Sequence, residues 1–247
     1  MHHYLPYLIE LRKKIIHSSL VVLILFLCLF YVDDWLYNLL ANPLQKYLPK
    51  DSSIIAIEVT SAFTVPMKLA FITAIFIAIP YLLYQLWSFV APALYPKEKQ
   101  NLLPLIISSI ILFYAGVLFA YFLICPMALQ FFVNVAPRNL RILTDIRHYL
   151  DFVLTLLLAG GLAFQVPVIT LALLKAKWVS IAQLQHVRPY VIVAAFILGM
   201  LLTPPDVVSQ ILLAVPMWGL FEVVLWIAKY LEKTPLSMTD KKYVSST

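Results

Sequence analysis

Two carboxylates lie beside clustered basic residues at the ends of apolar segments. Glu10 lies in LIELRKK, directly before the first apolar run, and Glu98 lies in the short polar stretch APALYPKEKQ. The ordinary interpretation of Glu10 is pairing with Lys13 or Lys14, and Glu98 has lysines on both sides; such surface pairs contribute little to stability. Alternatively, both acids together bind a basic partner. Arginine suits this role, because its planar guanidinium binds a carboxylate bidentately.

The stretch that leads to Glu98 is stiff and largely apolar. Pro92 and Pro96 restrict its backbone. Its apolar and aromatic side chains are Phe89, Leu94 and Tyr95. An aromatic belt at the end of a helix explains such residues. A rigid loop beside two acids is also what a peptide-docking site needs, because a preformed surface loses little entropy on binding.

An uncharged amide, Gln165, lies inside the apolar run LAGGLAFQVPVITLALL, two residues before Pro167. Polar groups at membrane depth are costly, so each one is a candidate for function. Pro167 has no backbone N–H, which leaves the carbonyl of Ala163 free. The pattern predicts that Gln165 satisfies freed backbone or holds water in a cavity. A purely structural amide is the alternative.

A second polar cluster lies around TPPD, where the fifth and sixth apolar segments meet. Thr203 and Gln210 either satisfy backbone freed by the two prolines or bind a polar atom of another transmembrane helix. Met200 belongs to the same cluster, and Asp206 suits the N-cap of the following helix. Glu222, further along, is expected to snorkel or to pair with Lys229.

The sequence carries no constellation for catalysis or for metal binding. H-E-x-x-H, G-x-S-x-G and a glycine-rich phosphate loop are absent, and the five histidines are scattered. Cys28 and Cys125 lie in separate apolar runs without metal-ligand spacing, so both are predicted to be packing residues. We therefore expect no catalytic residue, no metal and no cofactor.

The composition is that of a membrane protein, since 63% of the 247 residues are hydrophobic and only 12% are charged. Runs of about 18 or more apolar residues predict transmembrane helices. The apolar segments are Ile15–Val32, Met67–Val90, Leu102–Cys125, Phe152–Leu174, Pro189–Leu202 and Val207–Ala228. They predict an all-α integral membrane protein with six spans. The net charge of +6 is spread over short loops, which argues against nucleic-acid binding.

The basic residues predict the orientation of these spans. Twelve of the eighteen lysines and arginines lie on the side shared by both termini, which places the termini in the cytoplasm. The fifth segment, Pro189–Leu202, would span about 21 Å as a helix, which is less than the roughly 30 Å of the hydrocarbon core. We therefore expect a short C-terminal hairpin and local thinning of the bilayer.

The remaining segments complete the predicted organisation. Residues 34–48 predict a short interfacial helix that ends at Pro43, and RILTDIRHYLDFV leads amphipathically into the fourth span. Both outer loops are expected to form a cap over the bundle. Residues 1–232 are predicted to form one six-span membrane domain, and residues 233–247 a disordered cytoplasmic tail.

Six stretches occur in order across nearly the whole chain: LIELRKK, PLQKYLP, LYQLWSFVAPALYPKEK, GVLFAYFLICP, FQVPV and RPYVIVAAFILGMLLTPPDVVSQILLAVPMWGLFE. They closely resemble the TatC family, the multispanning subunits of the twin-arginine protein translocase. The resemblance implies a concave six-span bundle in the bacterial inner membrane with both termini in the cytoplasm. It also implies a non-enzymatic role, the export of folded proteins driven by the proton-motive force.

The resemblance further implies roles for individual residues. Binding of twin-arginine signal peptides is assigned to Glu10 and Glu98, with Arg12, Phe89, Leu94 and Tyr95 nearby. Contact with the single-span partner proteins TatA and TatB is assigned to Met200, Thr203 and Gln210. Structural or assembly roles are assigned to Pro43, Phe63, Tyr121 and Asp206. Many relatives have glutamate where this chain has Gln165, so this intramembrane polar site holds an uncharged isostere here. A multimeric complex in contact with membrane lipids is expected.

We interpret the chain as the receptor and core subunit of a protein translocase. A secondary transporter of small molecules or ions is the alternative interpretation. It needs a midplane site built from broken helices, and Gln165 with Pro167 is its one candidate in the sequence. An intramembrane enzyme lacks a catalytic set.

Overall fold

The structure, a computed structural model, describes residues 5–30, 54–55, 58, 60–94, 102–135, 144–176, 178–202 and 207–233. Its helices are α1 (Leu5–Leu29), α2 (Ser61–Leu94), α3 (Leu102–Phe119), α4 (Cys125–Val135), α5 (Ile146–Ala163), α6 (Val166–Lys175), α7 (Ile181–Leu202) and α8 (Val207–Lys233). A π-helical turn, Ala120–Ile124, joins α3 to α4. Two short strands, β1 (Ile54–Ile55) and β2 (Thr144–Asp145), pair in parallel.

Five segments of the described residues are long and apolar enough to cross a membrane. Those in α2, in α3–α4 and in α5–α6 have 28 to 30 residues, whereas those in α7 and α8 have 20 and 21. The first predicted span lies in α1, whose first half also contains the basic residues of LRKK. The predicted all-α, six-span architecture is confirmed, and the two C-terminal spans are the shortest of the five.

The fifth span begins earlier than predicted. Helix α7 starts at Ile181, and Pro189, the predicted first residue of the span, lies inside the helix. The 20-residue span covers about 30 Å, so it is longer than the segment of about 21 Å that the sequence predicted, although it remains the shortest of the five. The predicted segment begins directly after Arg188, because a charged residue marks the end of an apolar run. In the structure its guanidinium pairs with Glu222 inside the hairpin, and this pairing offsets the charge.

Two of the spans are interrupted, each next to a proline. The π-helical turn Ala120–Ile124 precedes Pro126, whose missing N–H releases the regular hydrogen-bond ladder. The fourth span breaks at Phe164 and Gln165, and Pro167 lies in the first turn of α6. Pro167 therefore starts a new helix, which places Gln165 at a break in the middle of the span.

The helices α3 and α5 approach each other closely at two glycines. A Cβ atom added to Gly160 would lie 2.7 Å from the Cβ atom of Ala120 and equally close to the carbonyl oxygen of Gly116. Small residues allow such close approach in membranes, where van der Waals contact drives helix association. The contact is continuous with the apolar core formed by residues such as Leu156 and Ile124. It brings the break in the fourth span next to α3.

Several predictions concern residues that the structure does not describe. They include the interfacial helix of residues 34–48 with its Pro43, and most of the predicted tail. The helix α8 ends at Lys233, the first residue of that predicted tail. The stretch leading into the fourth span is described from Thr144, and Asp145 caps α5 by accepting a 3.1 Å hydrogen bond from the backbone N–H of Arg147.

Candidate functional site

Glu10 lies near the start of α1 with a side chain that is 49% exposed. Its carboxylate pairs with the ammonium of Lys14 at 3.1 Å, one helical turn further on. Local pairing of Glu10 is thereby confirmed, with Lys14 as the partner. A carboxylate offers about four lone-pair sites, so this pairing leaves Glu10 able to accept further donors from solvent or from a ligand.

Lys14 also connects the start of α1 to the end of α2. Its ammonium donates to the hydroxyl of Ser88 at 2.8 Å and lies 5.8 Å from the centre of the Phe89 ring, within cation–π range. Helix α2 ends at Leu94, shortly after these contacts. Helix α2 therefore ends at the same end of the bundle as Glu10, four residues before Glu98 in the sequence.

The predicted signal-binding residues are described only in part. Arg12 is exposed on α1, and Phe89 is half-buried on α2. Tyr95, Glu98 and the side chain of Leu94 lie outside the described residues. The approach of Glu98 to Glu10 therefore stays a prediction. Sequence reasoning missed Ser88, whose only signal was its position one residue before Phe89.

The residues predicted to contact a partner helix lie where α7 ends and α8 begins, at the end of the bundle away from Glu10. Met200 is 55% exposed. The amide of Gln210 donates a 2.9 Å hydrogen bond to the carbonyl of Phe196, so it links the two helices of the hairpin. Phe196 lies about two helical turns before TPPD, and its carbonyl is not one that Pro204 or Pro205 would free. Neither predicted role of Gln210 is therefore confirmed, and its contact with a partner helix stays a prediction. Thr203 and Asp206 lie outside the described residues.

Near its other end the same hairpin contains an ion pair between Arg188 and Glu222, with a nitrogen–oxygen distance of 2.8 Å. The prediction that Glu222 snorkels or pairs with Lys229 is therefore wrong. Within the described part of the chain, Arg188 Nε and the second carboxylate oxygen of Glu222 are buried without a hydrogen-bond partner. The pairing had a signal in the sequence, because both residues lie at similar distances from the TPPD turn.

Gln165 is 7% exposed and bonds to a neighbouring helix. Its Nε2 donates to the carbonyl of Ser109 at 2.9 Å, and the hydroxyl of Ser109 donates to its Oε1. That hydroxyl in turn accepts a 3.1 Å hydrogen bond from the indole N–H of Trp87. The network joins α2, α3 and the break between α5 and α6. Gln165 therefore bonds to Ser109 on another helix and not to the backbone that Pro167 frees. This arrangement fits the alternative, in which Gln165 is a purely structural amide.

Two further predicted positions make aromatic contacts. Phe63, in the first turn of α2, packs edge to face on Phe30 with ring centres 6.4 Å apart. Tyr121, in the π-helical turn, packs in the same way on Phe122 at 5.0 Å. Such contacts suit a structural role, while a role of either residue in assembly stays a prediction.

The cysteines and the acidic residues do not form a metal site in the described ranges, which contain no group of three or more potential ligands. Both cysteines are free. Cys125 is buried, as predicted for a packing residue, whereas Cys28 is exposed and that prediction is wrong for it. The exposed face of α1 near Cys28 is apolar, so composition alone could not separate a lipid-facing cysteine from a packed one.

Comparison with known proteins gives a consistent result. The family model for TatC, described as Sec-independent protein translocase protein, matches residues 6–216. The Sec-independent protein translocase protein TatC of Azotobacter chroococcum mcd 1 is 49% identical over 217 residues, which are 88% of this chain and 85% of the relative. The protein of that name from Escherichia coli K12 is 45% identical over 226 residues, 92% of this chain and 88% of the relative. A crystal structure of the twin-arginine translocase receptor TatC superposes with a TM-score of 0.82 at 36% identity, covering 92% of this chain and 99% of that one.

Proposed function

This chain belongs to the TatC family of Sec-independent protein translocase proteins, and from that membership we propose that it is the membrane-embedded receptor of a twin-arginine translocase. It binds the twin-arginine signal peptides of folded cargo proteins. Together with single-span partners of the TatA and TatB type, it exports these cargoes by use of the proton-motive force. It acts as a transport component and not as an enzyme.

The observation that supports receptor function is the setting of Glu10. Its carboxylate is half-exposed and held by Lys14, which is itself fixed to Ser88 at the end of α2. An acid held in this way can accept a guanidinium without first losing its own side-chain freedom. Each arginine of a pair can bind one carboxylate bidentately, and Glu98, four residues after the end of α2 in the sequence, is assigned as the second acid.

The same arrangement supports the proposed orientation in the membrane. Lys14 contacts the end of α2, and Arg188 near the start of α7 contacts α8 in its second half. The basic residues near these helix ends lie on the side that holds both termini. By the excess of Lys and Arg on this side, we assign it to the cytoplasm. The cell inner membrane follows from the translocase function, and a multimeric complex follows from the need for partner subunits.

A crosslinking experiment tests the proposed receptor. The purified protein is mixed with a twin-arginine peptide that carries a photoreactive group, and single and paired variants Glu10→Lys and Glu98→Lys are compared with the wild type. We expect crosslinking to be lost in the paired variant and to weaken with salt in the wild type, because the site lies at the surface. Glu58→Lys, an exposed charge reversal at the other end of the bundle, is the matched control and should crosslink normally. Unchanged crosslinking in the paired variant would refute the receptor site.

The exposed side of the α7–α8 hairpin is proposed as the contact for a partner helix. Met200 is exposed there, and Thr203 and Gln210 are its predicted polar neighbours. A cysteine at Met200 is expected to form a disulfide with a cysteine in the outer membrane-embedded end of a TatA- or TatB-type partner. Leu198→Cys, at an exposed position on another face of α7, is the control and should not form this disulfide. Equal crosslinking at both positions would indicate random collision in the bilayer.

A further inference from the structure

The outer end of the bundle, opposite Glu10, contains a groove of about 560 Å³ between α1, α2 and α5. Val65 and Leu150 form its floor and are buried. Leu23 and Phe71 also line it, but each is about half-exposed. The groove is therefore open along the flank of the bundle, where lipid chains would surround the protein.

Two ion pairs lie at the mouth of this groove. The ammonium of Lys68 pairs with Asp151 at 2.6 Å, and the guanidinium of Arg147 pairs with Glu58. The four side chains are between 38% and 55% exposed, so none of them is sealed inside the protein. An ammonium has three donors and a guanidinium has five, so each cation can keep its pair and still donate to another acceptor.

Along the groove, the charged groups lie near the start of the spans and the apolar lining lies deeper, in the order of the headgroups and acyl chains of a bilayer leaflet. The spans of α2 and α5 begin at Phe63 and Ile146, so Arg147 lies at the boundary. Lys68 and Asp151 are about 8 Å further along their helices, at 1.5 Å per residue. The apolar lining continues to Leu154, roughly 12 Å from the start of the span. These spans have 28 and 30 residues, about 42 to 45 Å, so roughly 6 to 8 Å at each end lies outside a hydrocarbon core of about 30 Å. The charged groups therefore lie in the headgroup layer or at its border with the hydrocarbon core, and the apolar lining continues below them.

We propose that this groove binds one phospholipid whose head carries both a phosphate and a primary ammonium. The phosphate accepts hydrogen bonds from Arg147 and Lys68, the ammonium donates to Asp151, and one acyl chain lies between Leu23 and Phe71. The charge balance of the mouth selects this head. The two ion pairs that the structure describes there sum to zero charge, so an anionic lipid meets carboxylates that it cannot satisfy. A quaternary ammonium head has no N–H to donate to Asp151.

Competition between defined lipids tests the site on the full-length protein. The protein is purified in detergent, stripped of lipid, and mixed with equal amounts of dioleoyl phosphatidylethanolamine and dioleoyl phosphatidylglycerol. Native mass spectrometry then counts the retained molecules of each. For the first bound molecule we expect phosphatidylethanolamine to be preferred by on the order of fivefold, the size of effect that partly exposed charge pairs produce. Dioleoyl phosphatidylcholine should compete poorly.

A single substitution should reverse this preference. Asp151→Asn removes the negative charge that attracts the ammonium and leaves Lys68 without an ion-pair partner, so the variant should bind phosphatidylglycerol more tightly than the wild type does. Because the expected result is a gain of binding, it cannot be confused with a failure to fold. Retention of the wild-type preference in this variant would overturn the assignment of the head.

The acyl chain is located by a separate experiment. Phosphatidylethanolamine with a diazirine in its acyl chain should label peptides of α1 and α5 that line the groove, and Leu23→Trp should reduce this labelling. Leu162→Trp, an exposed position in the same fourth span but outside the groove, should not reduce it. Equal labelling of both variants, or labelling confined to other helices, would overturn the proposal. So would a crosslink showing that residues 31–53 of this chain occupy the groove.

Discussion

The polar network around Gln165 allows a quantitative prediction about stability. In Gln165→Leu the side chain keeps nearly its volume but loses both bonds to Ser109, one donated by each residue. Hydrogen bonds between membrane helices contribute about 0.6 kcal/mol on average and up to about 1.7 kcal/mol. The two bonds together therefore predict a loss of about 1 to 2 kcal/mol in the free energy of unfolding. Export should fall with it, because the network fixes the break in the fourth span.

A glutamate at the same position distinguishes the protonated from the ionised form. A protonated carboxyl group can donate to the carbonyl of Ser109 and accept from its hydroxyl, as Gln165 does, whereas a carboxylate can only accept. We therefore expect Gln165→Glu to fold with the carboxyl group protonated and to keep transport. Its stability should rise as the pH falls, since the native state then binds a proton that the unfolded state has released. The wild-type amide does not titrate and should lack this pH dependence.

Unfolding of the purified protein in mixed micelles measures these effects. A double-mutant cycle with Gln165→Leu and Ser109→Ala isolates the pairwise energy, which should be about 1 kcal/mol because the two residues contact each other. Gln130→Leu, at an exposed glutamine of α4, is the matched control and should change stability little.

Two results would contradict the reasoning about Gln165. The first is strict additivity of the Gln165 and Ser109 substitutions, which would mean that their contact contributes nothing. The second is full export by Gln165→Leu in cells that lack the native gene, which would show that the polar group is dispensable. Loss of export by Gln165→Glu with normal folding would show that the site tolerates only an uncharged group during transport.

Two further predictions concern helix contacts. Arg188→Leu leaves Glu222 unpaired and should lower the free energy of unfolding by about 1 to 2 kcal/mol, which is the penalty for breaking a buried pair reduced for its partial exposure. The exchange of the two residues, Arg188→Glu with Glu222→Arg, should restore most of this loss in the same unfolding assay. No recovery would show that the loss of the pair is not the cause. Gly160→Ala adds a methyl group against Gly116 and should cost about 1 to 3 kcal/mol by overpacking. Gly219→Ala, where an added Cβ meets nothing within 4 Å, should be neutral or slightly stabilising, because alanine favours the helix more than glycine does. Equal losses at both glycines would show that overpacking is not the cause.

The spans were predictable from the sequence because the bilayer imposes a minimum apolar length on each helix. The pairing of Glu10 with Lys14 was predictable as well, since residues four apart on a helix are neighbours. Contacts between distant segments were not. Lys14 and Ser88 are 74 residues apart, and no local pattern relates them. The start of α7 was misplaced for the same reason, because the acid that neutralises Arg188 lies on the next helix.

The described polar groups at membrane depth and those at the surface have different kinds of partners, and this difference bears on function. Gln165 is buried and both polar atoms of its amide bond to Ser109, while Gln210 bonds across its own hairpin. A transporter needs polar groups near the midplane that can exchange a protein partner for a substrate. Gln165, its one candidate in the sequence, is occupied in a closed network. Glu10, in contrast, is half-exposed at the end of the bundle and keeps capacity for further donors. The bundle therefore fits a receptor that recognises its ligand at the surface and whose intramembrane contacts keep it rigid. It fits less well a transporter that passes a small solute through its centre.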